Sequence, residues 1–272
     1  RVGLDQPLLE QYARWLLSAA TGDLGRSHRT GEPAGAIVLS RLPATALLAV
    51  SAAILGAACG VLLALASVVA RSRVARLATD GLASGLASTP GFLVGLILLL
   101  VLAHWLRWLP YGGYIVGPGG EDGSPELSRL LLPSASLAAR ETGRVALIVG
   151  AALRESLRAR YSQVATAKGL SPSAVVVRHA LPNALIALLS ASGLSLVFLV
   201  GGAVAVESVF GWPGIGRLMA EAASARDFPM LSAIVLLVGT AVALVNLTID
   251  FAYTLVDPRL RVGWHQSEAR AA

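Results

Sequence analysis

An all-α, polytopic membrane protein is the fold class that this sequence predicts. Three observations carry the prediction. Apolar residues make up 55% of the 272 and charged residues only 14%, where a soluble domain carries about 25% charged. Mean hydropathy is +0.69. Charge is absent from four stretches, 42–70, 81–106, 180–206 and 228–249, each long enough to cross the hydrocarbon as a helix, which takes roughly 20 apolar residues. Helices are expected because a lipid-exposed backbone must satisfy its own hydrogen bonds. Runs such as LVGLILLLVLA lack the alternation a barrel strand needs. The apolar content excludes disorder, and the single cysteine, Cys59, excludes a disulfide scaffold.

The segment 1–41 comes first. It holds five arginines against four acids and is too long and too polar to be a signal peptide. The spans 42–70 and 81–106 follow. A further span is expected at 130–153, apolar at both ends (LLLPSASLAA, VALIVGAAL) but with Arg140, Glu141 and Arg144 at its centre. The spans 180–206 and 228–249 complete a set of five.

Loop charge orients them. Arg71, Arg73 and Arg76 outweigh Asp80 in 71–80, and Arg154, Arg158, Arg160, Lys168 and Arg178 outweigh Glu155 in 154–179. These basic loops are expected in the cytoplasm. The loops 107–129 and 207–227 are net acidic and expected outside. Alternation then requires 130–153 to cross, puts the tail with Arg259, Arg261 and Arg270 inside, and puts 1–41 outside. An outside N-terminal segment implies one more span upstream of Arg1. The expected organisation is an external segment 1–41, a transmembrane domain 42–256 with a cytoplasmic loop 154–182, and a cytoplasmic tail 257–272.

No phosphate-binding glycine loop surrounds Lys168, the only lysine. His28, His104, His179 and His265 are too scattered for a metal site, and no nucleophile elbow stands out. No catalytic residue and no cofactor are therefore expected in this chain. The net charge of +6 resides in loops without interleaved aromatics, which disfavours nucleic acid.

The loop from 154 reads RESLRARYSQVATAKGLSPSAVVVRHALPNA. Residues 154–168 suit a helix, and Gly169 after Lys168 matches a glycine stop with a cation in the last turn. Ser171-Pro172 matches an N-cap and first position of a second helix, with Val175 and Val176 on its apolar side. Two helices bent at Gly169 could dock in a groove of another protein or lie on the lipid surface; both readings stay open on these grounds.

This loop resembles the Glu-Ala-Ala loop of permease subunits in binding-protein-dependent ABC importers. With Gly169 as anchor, Leu181-Pro182 falls on the family's L-P and Ala165 on its second alanine, while Gln163, Val164 and His179 depart from the pattern. Tyr161, Ala165, Ala167-Lys168-Gly169-Leu170, Arg178-His179-Ala180-Leu181 and Asn183-Ala184-Leu185 resemble the peptide-importing branch. LDQPLLEQYARWL, GDLGRS and RLPAT near the start, ESVFGWPGIGRL and ARDFPM later, and VDPRLR near the end resemble the B-type subunit of dipeptide, oligopeptide and nickel importers.

The resemblance implies a type I ABC importer permease fold with six spans in a bacterial inner membrane. It implies a second homologous permease subunit, two ATP-binding subunits that hold ATP and Mg, and an extracytoplasmic peptide-binding protein. The bent loop would couple pore to ATPase, Gly169 permitting the bend and Ala165 close docking. Glu207, Trp212, Pro213 and Gly214 would lie in the external gate, although a solvated loop acid is the alternative for Glu207. Nickel chelate or glutathione could replace peptide as cargo.

Arg140, Glu141 and Arg144 can share one helical face. They either line a water-filled translocation pathway or form a Glu141–Arg144 pair that locks helices. Asn246, Asp250 and Asp257 are expected in helix packing or at a cytoplasmic end. Trp105, Trp108 and Trp212 fit an interfacial aromatic belt, and His104, near the external end of its span, is expected in interfacial packing. The pairs Gly56–Gly60, Gly81–Gly85 and Gly91–Gly95 suit close helix packing. A secondary transporter relaying protons through Glu141 or Asp250, and a non-transporting scaffold, are the competing functions.

Overall fold

The computed structural model describes residues 7–111 and 127–256. Among these the backbone is helical, with one isolated antiparallel bridge between Arg26 and Pro33. The helices are α1 (Leu8–Ala20), α2 (Ala34–Val69), α3 (Arg73–Ser88), α4 (Gly91–Leu98), α5 (Leu127–Arg158), α6 (Arg160–Ala167), α7 (Pro172–Val175), α8 (Leu181–Phe210), α9 (Ile215–Ser224) and α10 (Phe228–Val256). A π-helical stretch Leu99–Trp105 extends α4, and another, Val176–Ala180, joins α7 to α8. The tail 257–272, with Asp257, and the loop acids Glu121, Asp122 and Glu126 lie outside the described residues.

Helices begin and end where local chemistry dictates. Ser72 caps α3, its hydroxyl accepting from Ala75 N at 3.0 Å. Thr89 precedes a proline, which disfavours helical backbone, and it is extended with ψ 132°. The chain bends by 107° there, so the expected span 81–106 is not one helix. Residues 81–88 belong to α3, and Gly91–Trp105 alone keeps the second direction. At about 1.5 Å per residue that piece falls short of the roughly 30 Å hydrocarbon. The other spans hold as helices. Ala34–Val69 and Phe228–Thr248 are long and apolar enough to cross alone, and the charged span 130–153 lies within the 32-residue α5.

The chain divides into two compact units. One draws on Arg1–Ser51, Phe92–Leu137 and Val200–Gly239, the other on Ala52–Gly91, Ala138–Leu199 and Thr240–Ala272. The core of the first unit joins Ala34 and Val38 of α2, Ile215, Leu218 and Ala222 of α9, and Met230, Ala233 and Ile234 of α10. Short α9 thus wedges between the starts of two long helices.

In the second unit Val145, Val149 and Leu153, spaced by four along α5, meet Ala64 of α2 and Ala180 and Ala184 near the start of α8. Gly56 and Gly60 make the approach of α2 to α5 possible. A Cβ on Gly60 would lie 2.6 Å from Val145 Cβ, and one on Gly56 2.8 Å from Glu141 Cβ. In lipid such contact holds helices through dispersion rather than water exclusion. A Cβ on Gly95 would collide with Ser136. Gly81 and Gly85, in contrast, have nothing among the described residues within 4 Å, so that pair packs against no described helix.

Candidate functional site

The bent loop is built as two turns around Gly169. Residues 154–158 are the end of α5, and Ala159, extended at ψ 151°, breaks the expected helix 154–168 so that α6 starts only at Arg160. Ser162 Oγ donates to Ser156 O at 2.7 Å and folds α6 back on α5. The C-terminus of α6 is a Schellman turn. Gly169 at φ +88° donates its N–H to Thr166 O at 2.9 Å, and Leu170 N–H goes to Ala165 O at 3.3 Å. Ser171 then caps α7, accepting from Ala174 N at 3.3 Å, with Pro172 in its first turn.

Past this point the sequence expectation of a second short helix is incomplete. Val176 and Leu181 keep helical dihedrals, so α7 runs through the π-helical stretch into α8. Pro182 explains the widened turn. It has no N–H to give Arg178 O, and its ring crowds that carbonyl. Leu181 N–H accordingly reaches back five residues to Val176 O. Asn183 Nδ2 donates to His179 O at 2.8 Å and to Tyr161 Oη at 3.3 Å. Tyr161 and Asn183, both singled out by sequence, therefore tie α6 to α8.

The elbow turns a mixed surface outward. Tyr161, Val164 and Val177 are exposed, together with Gln163, Ala167, Lys168, Gly169 and Pro182, while Leu170, His179 and Leu181 are half-buried. Ala165 is only 6% exposed. Its methyl is therefore turned away from the exposed surface of the elbow.

Glu141 and Arg144 form a bidentate pair, Arg144 Nη2 and Nε donating to the carboxylate at 2.8 and 3.1 Å. The pair runs along α5, and Glu141 packs on Gly56 of α2. The Glu141–Arg144 pair expected from the sequence is therefore formed, within α5 itself. Arg140 points to the exposed side. Nearby, Arg154 reaches Asp80 Oδ1 at 3.6 Å and Ser67 Oγ at 3.3 Å, fastening α5 to α2 and α3.

The residues expected at an external gate do come together, in the first unit. Glu207 is not a loop acid: it lies in α8 and is fully buried. It accepts from Thr45 Oγ1 at 2.8 Å and from Arg217 N at 3.0 Å, and from the Gly216 N–H. Thr45 Oγ1 in turn accepts from Ile215 N at 2.8 Å. The first three N–H groups of α9, orphaned at any helix start, are thus satisfied by two side chains from other helices. A carboxylate there also complements the helix dipole. Gly214 leaves room for it, since a Cβ would collide with the Glu207 carboxylate. Trp212, beside Pro213, is wholly buried and donates Nε1–H to Ala44 O at 2.9 Å. It is no aromatic-belt residue, whereas Trp105 and Trp108 are exposed. His104 Nδ1 lies 2.9 Å from Tyr111 Oη.

Sequence reasoning missed Asp227. It caps α10 by accepting from Met230 N at 3.3 Å and accepts from Ser27 Oγ, anchoring the loop 26–33. Burial alone would push its carboxyl up, but hydrogen bonds from Ser27, His28, Met230 and Arg29 outweigh this and hold it below the usual carboxylate range. The signal was present: an aspartate directly before Phe228-Pro229 is a helix start. Thr45 carried no such signal, because its partners are some 160 residues away. Asp250 lies outside the described side chains. Among the described residues no group of His, Cys, Asp and Glu could hold a metal.

Residues 56–262 match the family of binding-protein-dependent transport system inner membrane components. The chain is 37% identical to the di/tripeptide transport system permease protein DppB of Pseudomonas aeruginosa, over 96% of this chain and 83% of that protein. It is 35% identical to a Brucella ovis protein named as a peptide permease, over 96% and 82%. The fold is similar to the methionine ABC transporter MetNI in an inward-facing conformation, with TM-score 0.67 and 16% identity over 81% of this chain and 96% of that one. An amino acid ABC transporter gives a TM-score of 0.55 at 18% identity over 82% and 94%.

Proposed function

The chain belongs to the family of binding-protein-dependent transport system inner membrane components, and from that premise we propose that it forms the pore of an importer of short peptides with a second permease subunit. As an ABC importer permease of the inner membrane it performs transport, not catalysis, and ATP with Mg would be bound and hydrolysed by two separate ATP-binding subunits. An extracytoplasmic binding protein would deliver the peptide. The names of the relatives support peptide as cargo.

The elbow supports the coupling role. A coupling element must be stiff within itself and must offer apolar surface to a partner. Tyr161–Asn183, Ser162–Ser156 and the Schellman turn at Gly169 supply the stiffness. Exposed Tyr161, Val164 and Val177 supply the surface.

Gly169→Val tests this reading. A β-branched residue at φ +88° costs on the order of 1–2 kcal/mol in left-handed strain, so the elbow should shift. The expected result is ATP hydrolysis by the assembled complex no longer matched by peptide uptake. Normal uptake and normal assembly in this variant would sink the coupling role. Mass spectrometry of what the co-purified binding protein carries tests the cargo separately.

A further inference from the structure

Helix α1 offers an apolar face that nothing in the described chain covers, and we propose that it lies along the membrane surface with that face sunk into the lipid interface. Leu8, Leu9, Tyr12, Leu16 and Leu17 fall on one broad side of the helix, while Glu10, Arg14 and Ser18 fall on the other. The apolar side is open: Leu8 and Leu9 are 82% exposed and Leu17 69%. The partly sheltered residues are Gln11, Trp15 and Ala19. Spaced by four, they run along the Leu8–Tyr12 edge of the apolar side, so α1 meets its own chain at that edge and leaves Leu9, Leu16 and Leu17 open.

The height of α1 is set by the loop after it. Ser27 is bonded to Asp227, the cap of α10, and a Cβ on Gly25 would touch Pro229 at 3.6 Å. The stretch of α10 long and apolar enough to cross a membrane begins at Phe228, and with α10 read as a span residues 25–27 sit at its boundary. Four residues lie between Ala20 and Gly25, and the five Cα-to-Cα steps, at up to about 3.6 Å each, keep the end of α1 within roughly 18 Å of it. With 13 residues, α1 is too short to cross.

At that level the apolar phase at hand is the bilayer. The polar strip carries one acid and one base, Glu10 and Arg14; it has no net charge with which to draw a charged protein partner. An amphipathic helix of this shape lies in the interface plane. The inference rests on membrane location alone and not on the cargo or coupling proposed above.

Nitroxide scanning tests it on the full chain, assembled with its co-expressed subunits in phospholipid nanodiscs. Cys59 is the only cysteine, so Cys59→Ser gives a clean background for Leu9→Cys, Leu16→Cys, Glu10→Cys and Arg14→Cys, each labelled singly. Labels at positions 9 and 16 should be reached by dissolved oxygen and shielded from a water-soluble nickel chelate, with an accessibility ratio several-fold above that at positions 10 and 14. Free access of the chelate to position 16 overturns the proposal, because α1 would then stand in water. Shielding of position 16 from both reagents also overturns it, because a protein would then cover the face. Should the leucine variants fail to assemble, Tyr12→Cys on the same side replaces them, and the same outcomes are read at position 12.

Discussion

Removing the Glu207 carboxylate strands three buried donors: the Thr45 hydroxyl and the N–H groups of Gly216 and Arg217. Each stranded donor costs about 1–3 kcal/mol. Glu207→Ala should therefore lower the unfolding midpoint of the purified protein markedly. Glu207→Gln, which keeps one acceptor but turns an NH2 group on donors, should fall between Ala and the parent. Equal midpoints for all three would show that the carboxylate is not what holds α9. Asp227 gives a pH signature instead. Its folded pKa is depressed, so its stabilisation is complete above the ordinary carboxylate pKa of about 4 and is lost as pH falls through the lower folded value. Asp227→Asn should flatten the acid limb of a midpoint-against-pH curve. An unchanged acid limb would mean that other carboxylates set it.

At the level of whole elements, close packing and caps make opposite predictions for small changes. Gly60→Leu forces a side chain into space held by Val145 and the Thr142 carbonyl. Overpacking of this kind costs about 1–3 kcal/mol, so the unfolding midpoint should drop, whereas Gly81→Leu, with no described residue within 4 Å, should leave it near the parent's. Helix α9 ends in the same Schellman pattern as α6. Its left-handed residue, however, is Arg226 at φ +54°, with Asp227 N–H bonded to Ala222 O at 2.9 Å. Arg226→Gly should relieve about 1 kcal/mol of left-handed strain and raise the midpoint; a lowered midpoint would mean that the arginine side chain contributes more than its backbone costs.

These elements also show what the sequence made legible. Gly169, Ser171 and Pro172 announce themselves because caps are local chemistry, and Gly56–Gly60 does so through spacing. The break at Ala159 and the π-helical turn before Pro182 were not visible. The first depends on Ser162 reaching back to Ser156 O, and the second on how one proline is absorbed inside a continuing helix. The burial of Glu207 and Trp212 was hidden for a further reason: their partners, Thr45 and Ala44, sit on α2, and sequence separation of that size leaves no local pattern.

Over the whole molecule, the membrane topology turns on the break at Thr89–Pro90. Loop charge demands an odd number of crossings between the basic loop 71–80 and the acidic loop that starts at Arg107. The only helices available there are α3 and α4 with its π-helical extension, bent by 107° at their junction. Gly91–Trp105 is uncharged but short for a crossing, which leaves a broken span and a re-entrant turn as geometrically distinct outcomes. The exposed Trp105 and Trp108 favour a crossing, since tryptophans gather where a span reaches the interface. Single cysteines in the Cys59→Ser background decide between the two. Trp108→Cys should react with a membrane-impermeant maleimide in intact spheroplasts, and Arg71→Cys only after permeabilisation. If both stay shielded until permeabilisation, the segment is re-entrant and every later loop changes sides. The elbow at Gly169 would then face outward, away from any ATP-hydrolysing partner, so this one comparison tests the premise on which the coupling role depends.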